Sequence, residues 1–264
     1  MKYPSLAKLM EELKSSPRVR GIFVTGTTAS GLSPSSDIDL VVILDENKEK
    51  IRSVYTTVEG HFSDIFFFDV DFLKQLQDKG NILANDFDGM FVEWLAKGKI
   101  EHDPEGFLLA LKDKISENSF VQNITESEKK SLWAKINYNF IANKRYYDSG
   151  NELYRKALEL RLLHSVIEIF IAYFSFRNIP WRGEKEAVKY LEQNDQEFLL
   201  VFNNYSKSNT IEDKIKHYEE LFAHSFFGDH QKWPDDFVIA ISKENQYNQE
   251  LKNFWDKLLG HRTN

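Results

Sequence analysis

The sequence predicts an α+β domain over residues 1–118, followed by an all-α helical bundle over residues 119–264. Three observations carry that prediction. In the first part, apolar runs rich in β-branched and aromatic residues, at 22–24, 40–44 and 65–68, alternate with segments of helical spacing. Near residue 120 the character changes, and from Glu126 onward the helical period dominates. A hydrophobic content of 42%, with 14% aromatic residues, suffices for packed cores and excludes a disordered chain.

The elements follow in order. Residues 5–14 place Leu6, Leu9, Met10 and Leu13 at helical spacing, and Pro17 closes the helix. Residues 22–24 form a buried strand. Thr25-Gly26-Thr27 then leads into a turn of small residues through Gly31, Ser33, Pro34, Ser35 and Ser36. Asp37-Ile38-Asp39 feeds a second buried strand at 40–44. A weaker helix is expected over 47–57, with Ile51, Val54 and Tyr55 on one face, interrupted at Gly60. Residues 61–69 read as a third strand, apolar on both faces after Asp64 and therefore interior to its sheet. Asp69 suits the cap of a helix over 70–77. Further helices are expected over 86–96, ended by Gly98, and from Asp103-Pro104-Glu105 through Ile115, with an edge strand at 99–103 between them. A polar connector spans 116–124. Thr125 and Glu128 have capping-box spacing ahead of a helix over 126–147. The longest helix covers 151–176, shorter ones 184–193, 196–205 and 211–224, and a last one 235–259 after a loop at 228–234.

Composition narrows the function. The chain has no cysteine, which excludes disulfide frameworks, thiol catalysis and zinc–thiolate sites and fits a reducing compartment. No apolar run reaches eighteen residues, and the densest, 166–176, is broken by Glu168 and Ser175, so no membrane span is expected. The N-terminal stretch is an amphipathic charged helix without the apolar core of a signal peptide, and a soluble cytoplasmic protein is expected. The net charge is −7, and the basic pairs Lys129-Lys130 and Lys144-Arg145 form no basic run. That balance disfavours a long nucleic acid as partner and suits a small, even cationic, acceptor.

Asp37 and Asp39 are the chemically pointed residues. Strand side chains repeat with period two, so both carboxylates face one side, where like charges repel unless a cation lies between them. Oxygen-only ligation suits Mg²⁺. An Asp-x-Asp pair is common in solvated turns, but here it opens an apolar strand and follows a Gly-Thr pair across a turn.

These residues resemble a known pattern: an apolar strand, Gly-Ser/Thr, about nine to thirteen residues, then Asp-apolar-Asp/Glu-apolar. Here it runs Gly26-Thr27, residues 28–36, then Asp37-Ile38-Asp39-Leu40. The pattern is similar to that of the nucleotidyltransferase superfamily of DNA polymerase beta type. The resemblance covers roughly the first hundred residues and implies a mixed central sheet flanked by helices. It also implies a third carboxylate from an adjacent strand. Asp64 stands at the entrance of the third strand as Asp37 does at the second, whereas the rivals Asp69 and Asp71 lie beyond the apolar run. The implied chemistry uses two Mg²⁺ ions bridged by Asp37 and Asp39, with Asp64 on the ion that activates the acceptor. The triphosphate of ATP or another NTP would lie against main-chain N–H groups near Gly26 and Thr27, with the Thr27 and Ser36 hydroxyls adding hydrogen bonds. One departure stands out. The family turn often reads Gly-Ser-x-Ala-Arg-Gly, and Gly26-Thr27-Thr28-Ala29-Ser30-Gly31 lacks the arginine.

An N-terminal domain of this type followed by a helical bundle looks like the aminoglycoside and lincosamide nucleotidyltransferases, enzymes of antibiotic resistance. That likeness implies transfer of AMP from ATP to a hydroxyl of a small acceptor. In the bundle, Arg161, His164 and Glu168 fall within about 60° on an otherwise apolar helix. Such a stripe faces water, a partner charge or a ligand. Glu168 would then deprotonate the acceptor hydroxyl, or else pair with Arg161 in a salt-bridge ladder. Lys144, Arg145, Arg182 and Lys185 are weaker phosphate candidates on ordinary helix positions, and His102 reads as a packing residue. Two other readings stand beside this one. Transfer to a protein or RNA, as in toxin–antitoxin nucleotidyltransferases, would be accompanied by a partner-domain Arg followed by His after four to six residues; Arg161 is too close to His164 and Arg155 too far. A non-catalytic nucleotide-binding module is opposed by the three filled carboxylate positions.

Overall fold

A five-stranded mixed sheet organises the first of two units, residues 1–123 and 124–264. The computed structural model describes residues 5–117, 121–234, 239–240, 254–255 and 257–259. The first unit begins with α1 (Leu6–Ser15), whose cap Ser5 accepts from the Lys8 N–H at 3.1 Å. It continues through β1 (Val19–Thr25), α2 (Gly26–Ser30), β2 (Ile38–Leu44), β3 (Ser53–Val58), β4 (His61–Asp69), α3 (Val70–Asp78), β5 (Asn81–Leu83), α4 (Phe87–Lys97), β6 (Lys99–His102), α5 (Phe107–Ser116) and β7 (Val121–Asn123). The sheet order is β3-β4-β2-β1-β6, with β2 and β4 parallel and the other neighbours antiparallel.

Both faces of this sheet are covered, which is why β1 and β2 read as continuous apolar runs. Ile22, Val24, Ile38, Leu40, Val42 and Ile65 pack with Leu9 and Met10 of α1. The alternate residues Phe23, Val41, Ile43 and Phe68 pack with Leu73 and Leu76 of α3, Phe91 and Leu95 of α4 and Leu108 and Leu111 of α5. Phe91 centres that side, with ring centroids 5.6 Å from Phe23, 4.6 Å from Phe68 and 5.1 Å from Phe72.

Four local expectations are corrected. The segment 47–57 holds no helix: its second half is β3, because Val54, Tyr55, Thr56, Thr57 and Val58 are strand formers that β4 pairs. The turn after Thr25 begins with the short helix α2. The helix expected from Asp103 starts at Phe107, with the Asp103 carboxylate accepting from the Leu109 N–H at 2.8 Å. Inside the expected connector, β7 pairs in parallel with β5, a sheet too small to leave a periodic signature.

The second unit is helical. It comprises α6 (Glu126–Asp148), α7 (Glu152–Phe176), α8 (Glu184–Asn194), α9 (Gln196–Lys207) and α10 (Ile211–Ser225). The capping box forms as expected: Glu128 N–H donates to Thr125 Oγ1 at 3.1 Å and Thr125 N–H to Glu128 Oε2 at 2.7 Å. Leu158, Leu162, Ile169 and Phe170 of α7 meet Phe198, Tyr218, Leu221 and Phe222 in one core. The helix expected over 235–259 lies outside the described residues, apart from helical positions at 254–255 and 257–258. Among the described residues, no helix is long and apolar enough to cross a membrane.

Candidate active site

The sheet register assembles the carboxylates. Thr25 on β1 pairs with Asp39 on β2, Asp39 with Asp64 on β4, and Asp64 with Tyr55 on β3. Directly paired residues project to one face, so Thr25, Asp39, Asp64 and Tyr55 form a single row across four strands, spaced by about 4.8 Å. Asp37 lies one residue ahead of β2 and is exposed, while Asp39 and Asp64 are half-buried.

The turn before β2 is tied to these carboxylates. Thr28 Oγ1 accepts from the Asp39 main-chain N–H at 2.9 Å. The Thr27 hydroxyl donates to the Asp37 carbonyl at 3.3 Å and approaches Asp37 Oδ1 at 3.5 Å. Gly26 has φ +58°, and a Cβ built there would collide with Asp39 Oδ2. Only glycine permits both this conformation and this approach. Ser36, expected to help bind phosphate, receives the Ser33 N–H at 2.9 Å and shares a 2.9 Å hydroxyl contact with Ser33. His61 Nδ1–H donates to the Ser36 carbonyl at 2.7 Å, pinning the approach to Asp37 against β4.

Asp64 carries the electrostatic tension. Its Oδ1 is shut off from solvent with no hydrogen-bond partner. Burial, and then the nearby Asp37 charge, push its carboxyl above the usual carboxylate range. Two acids in a row with an orphaned oxygen are relieved by a proton or by a cation. Among the described residues, no group of three or more His, Cys, Asp or Glu side chains converges into a metal cage. A Mg²⁺ ion needs no all-protein cage, since it is held by one or two carboxylates together with substrate phosphates and water. Asp39 and Asp64, with Asp37 beside them, carry hard oxygen donors of the kind such an ion would take.

The stripe on α7 is embedded in a polar network. The two Glu168 oxygens are taken by Lys135 Nζ, at 2.7 Å, and by the Asn139 amide. Arg161 donates to Asn143 Oδ1 at 2.8 Å and to Asn139 Oδ1 at 3.0 Å, so Asn139 links Arg161 to Glu168 in place of the expected ladder. His164 is exposed. The Tyr218 hydroxyl, beside Asn143 and Ser165, has its pKa raised by burial. Lys144 pairs with Glu219 at 3.3 Å, the Arg145 guanidinium lies 5.4 Å from the Tyr146 ring, and Arg182 donates to the Trp181 carbonyl at 3.2 Å. Lys185 is exposed.

The sequence reading gives no site role to Thr28, His61 or Tyr55, and places Tyr55 on the face of the helix expected over 47–57. Thr28 follows the motif residue Thr27 and was open to notice. His61 and Tyr55 acquire their places only through strand pairing.

Carboxylates on neighbouring strands beside a glycine-led turn are groups that could hold a divalent cation and a phosphate. Residues 6–130 match the family model of the nucleotidyltransferase domain. That match, a little under half of the chain, makes residues 6–130 similar to a nucleotidyltransferase domain and supports nucleotidyl transfer in general. A solved structure of a nucleotidyltransferase-like protein from Exiguobacterium sibiricum 255-15 is similar, with 14% identity and a TM-score of 0.39 over 83% of this chain and 73% of that one. No curated protein matches the chain.

Proposed function

We propose that the protein transfers AMP from ATP to a hydroxyl of a small acceptor, an aminoglycoside- or lincosamide-like compound, with Mg²⁺. The observation that carries this reading is the Asp39–Asp64 pair in register on parallel strands, with Asp37 beside it and one Asp64 oxygen unpartnered. Asp37, Asp39 and Asp64 would hold two ions. Bound Mg²⁺ supplies charge stabilisation to the attacking and leaving oxygens of an in-line displacement at the α-phosphate. The triphosphate lies against the main chain at Gly26 and Thr27. Thr28 and Thr27 tie the main chain at Asp39 and Asp37 to the turn. The acceptor oxygen bonds to the α-phosphorus, the bond to the bridging oxygen breaks, and pyrophosphate departs. Asp64 would sit on the ion that activates the acceptor hydroxyl, whose proton leaves to solvent or to a base.

Glu168 as general base is a second assignment, and Glu168→Gln tests it. Wild-type turnover in a folded variant assigns Glu168 to the Lys135–Asn139 network alone.

The main test is pyrophosphate release from ATP and Mg²⁺ across a panel of aminoglycosides and lincosamides. Asp39→Asn is expected to lower turnover by at least about a hundredfold while the protein stays folded. Turnover retained in Asp39→Asn would remove the carboxylate row from the chemistry.

A further inference from the structure

The carboxylate row ends in an aromatic residue with no assigned task. Tyr55 is the cross-strand partner of Asp64, and Phe62 precedes Asp64 by two residues on β4, so all three side chains share one face. The two rings stack with centroids 6.0 Å apart and planes within 10° of parallel. Both stay open to solvent, Tyr55 62% and Phe62 57% exposed. A lone exposed aromatic needs no explanation, but two stacked rings beside a catalytic row form a ready contact surface. Their placement is also fixed. The hairpin closes at Val58 and His61 with Glu59 at φ +54° and Gly60 at φ +87°, the paired positive values of a tight two-residue turn. Glu59 Oε1 further accepts the Leu6 N–H of α1 at 2.8 Å.

We propose that Tyr55 and Phe62 are the acceptor platform: the molecule that receives the nucleotidyl group lays a flat ring face on this pair while its hydroxyl reaches Asp64. This rests on the transfer reaction proposed above. The order along the row decides between nucleotide and acceptor. Gly26 and Thr27 lie at the Thr25 end, Asp39 and Asp64 in the middle, and Tyr55 at the far end. In-line displacement sets the leaving pyrophosphate and the attacking hydroxyl on opposite sides of the α-phosphorus. With the triphosphate against Gly26 and Thr27, attack comes from the side of Asp64 and Tyr55. Aromatic faces take apolar C–H surfaces and, through cation–π attraction, ammonium groups. The platform therefore suits a hydroxylated ring compound with an apolar face, amino-substituted or not.

The test uses the full chain as wild type, Tyr55→Ala/Phe62→Ala, and the ring-preserving Tyr55→Phe. Calorimetry measures α,β-methylene-ATP with Mg²⁺, and saturation-transfer NMR then titrates kanamycin or lincomycin into that complex. In wild type, ring protons of at least one probe should receive saturation. The double variant should weaken that probe roughly tenfold and Tyr55→Phe should keep it, with nucleotide-analogue affinity unchanged in both. Absence of saturation in wild type, or probe binding kept in the double variant, overturns the platform. Loss of analogue affinity in the double variant overturns it too, by assigning the rings to the nucleobase. The transfer reading fails separately, if wild type binds the Mg²⁺-loaded analogue no better than Asp39→Asn does.

Discussion

At Gly26 two demands meet in one residue: a left-handed backbone and room for the Asp39 carboxylate where a side chain would stand. Gly26→Ala is therefore expected to cost about 2 kcal/mol of stability through backbone strain alone. It should also swing Asp39 out of the row, so that a thermal melt and Mg²⁺-nucleotide binding both deteriorate. Asp64 presents the opposite case, a residue whose native setting is unfavourable to folding. Its folded-state pKa lies above the ordinary 3.8. The folded protein then binds more protons than the unfolded one in that window, and stability falls as pH rises from about 4 through the raised value, then levels off. Asp64→Asn removes that fall and an unpartnered charged oxygen. Chemical denaturation at pH 7 should find the variant more stable by on the order of 1 kcal/mol, with the gap shrinking toward pH 4 and pyrophosphate release abolished. A variant less stable than wild type at pH 7 would contradict the burial of this carboxylate. Asp37 and Asp39 stand out in the sequence through strand period and apolar context, whereas Asp64 is singled out only by the resemblance that implies a third carboxylate. The hydrogen bonds around them were less legible, since His61 meets Ser36 across twenty-five residues of chain.

Elements with a local code were readable, and those decided by pairing were not. Asp69 caps α3 by accepting the Phe72 N–H at 2.9 Å, and Thr125 with Glu128 closes the capping box, both from signals a few residues long. β3 shows the limit. Ile51, Val54 and Tyr55 have helical spacing, but Ile51 is held by the Asn47 side chain in a loop and Val54 onward pairs with β4. Tertiary pairing outweighed a weak local period, and the misreading concealed that Tyr55 faces Asp64. The capping box gives a prediction at this scale. Thr125→Ala removes the acceptor for the Glu128 N–H, leaving the first turn of α6 short of a partner. A loss of about 1 kcal/mol is expected, read as a melting point lower by roughly 2–4 °C. Thr125→Ser, which keeps the hydroxyl, should recover most of it.

For the whole chain, charge and fold have to be reconciled. Similarity to a nucleotidyltransferase domain does not select between a small hydroxylated acceptor and an RNA, because a fold alone does not set the substrate. A chain of net charge −7 repels polyanions at long range, and among the described residues several cations are engaged locally: Arg18 with Glu49, Arg155 with Glu212, Lys144 with Glu219, Lys214 with Glu159. A binder of long nucleic acid instead gathers free cations along a stripe and shows a steep loss of affinity with salt. Fluorescence anisotropy with a labelled RNA hairpin and a DNA duplex should therefore find dissociation constants weaker than about 10⁻⁴ M at 200 mM salt. Mg²⁺-ATP binding by the same protein should persist there if, as proposed, its phosphates are held by main-chain N–H groups and an ion on Asp37, Asp39 and Asp64. Submicromolar RNA binding with a steep salt slope would transfer the acceptor hydroxyl to RNA, and Tyr55 and Phe62 would then have to be tested as a base-stacking surface on the acceptor strand.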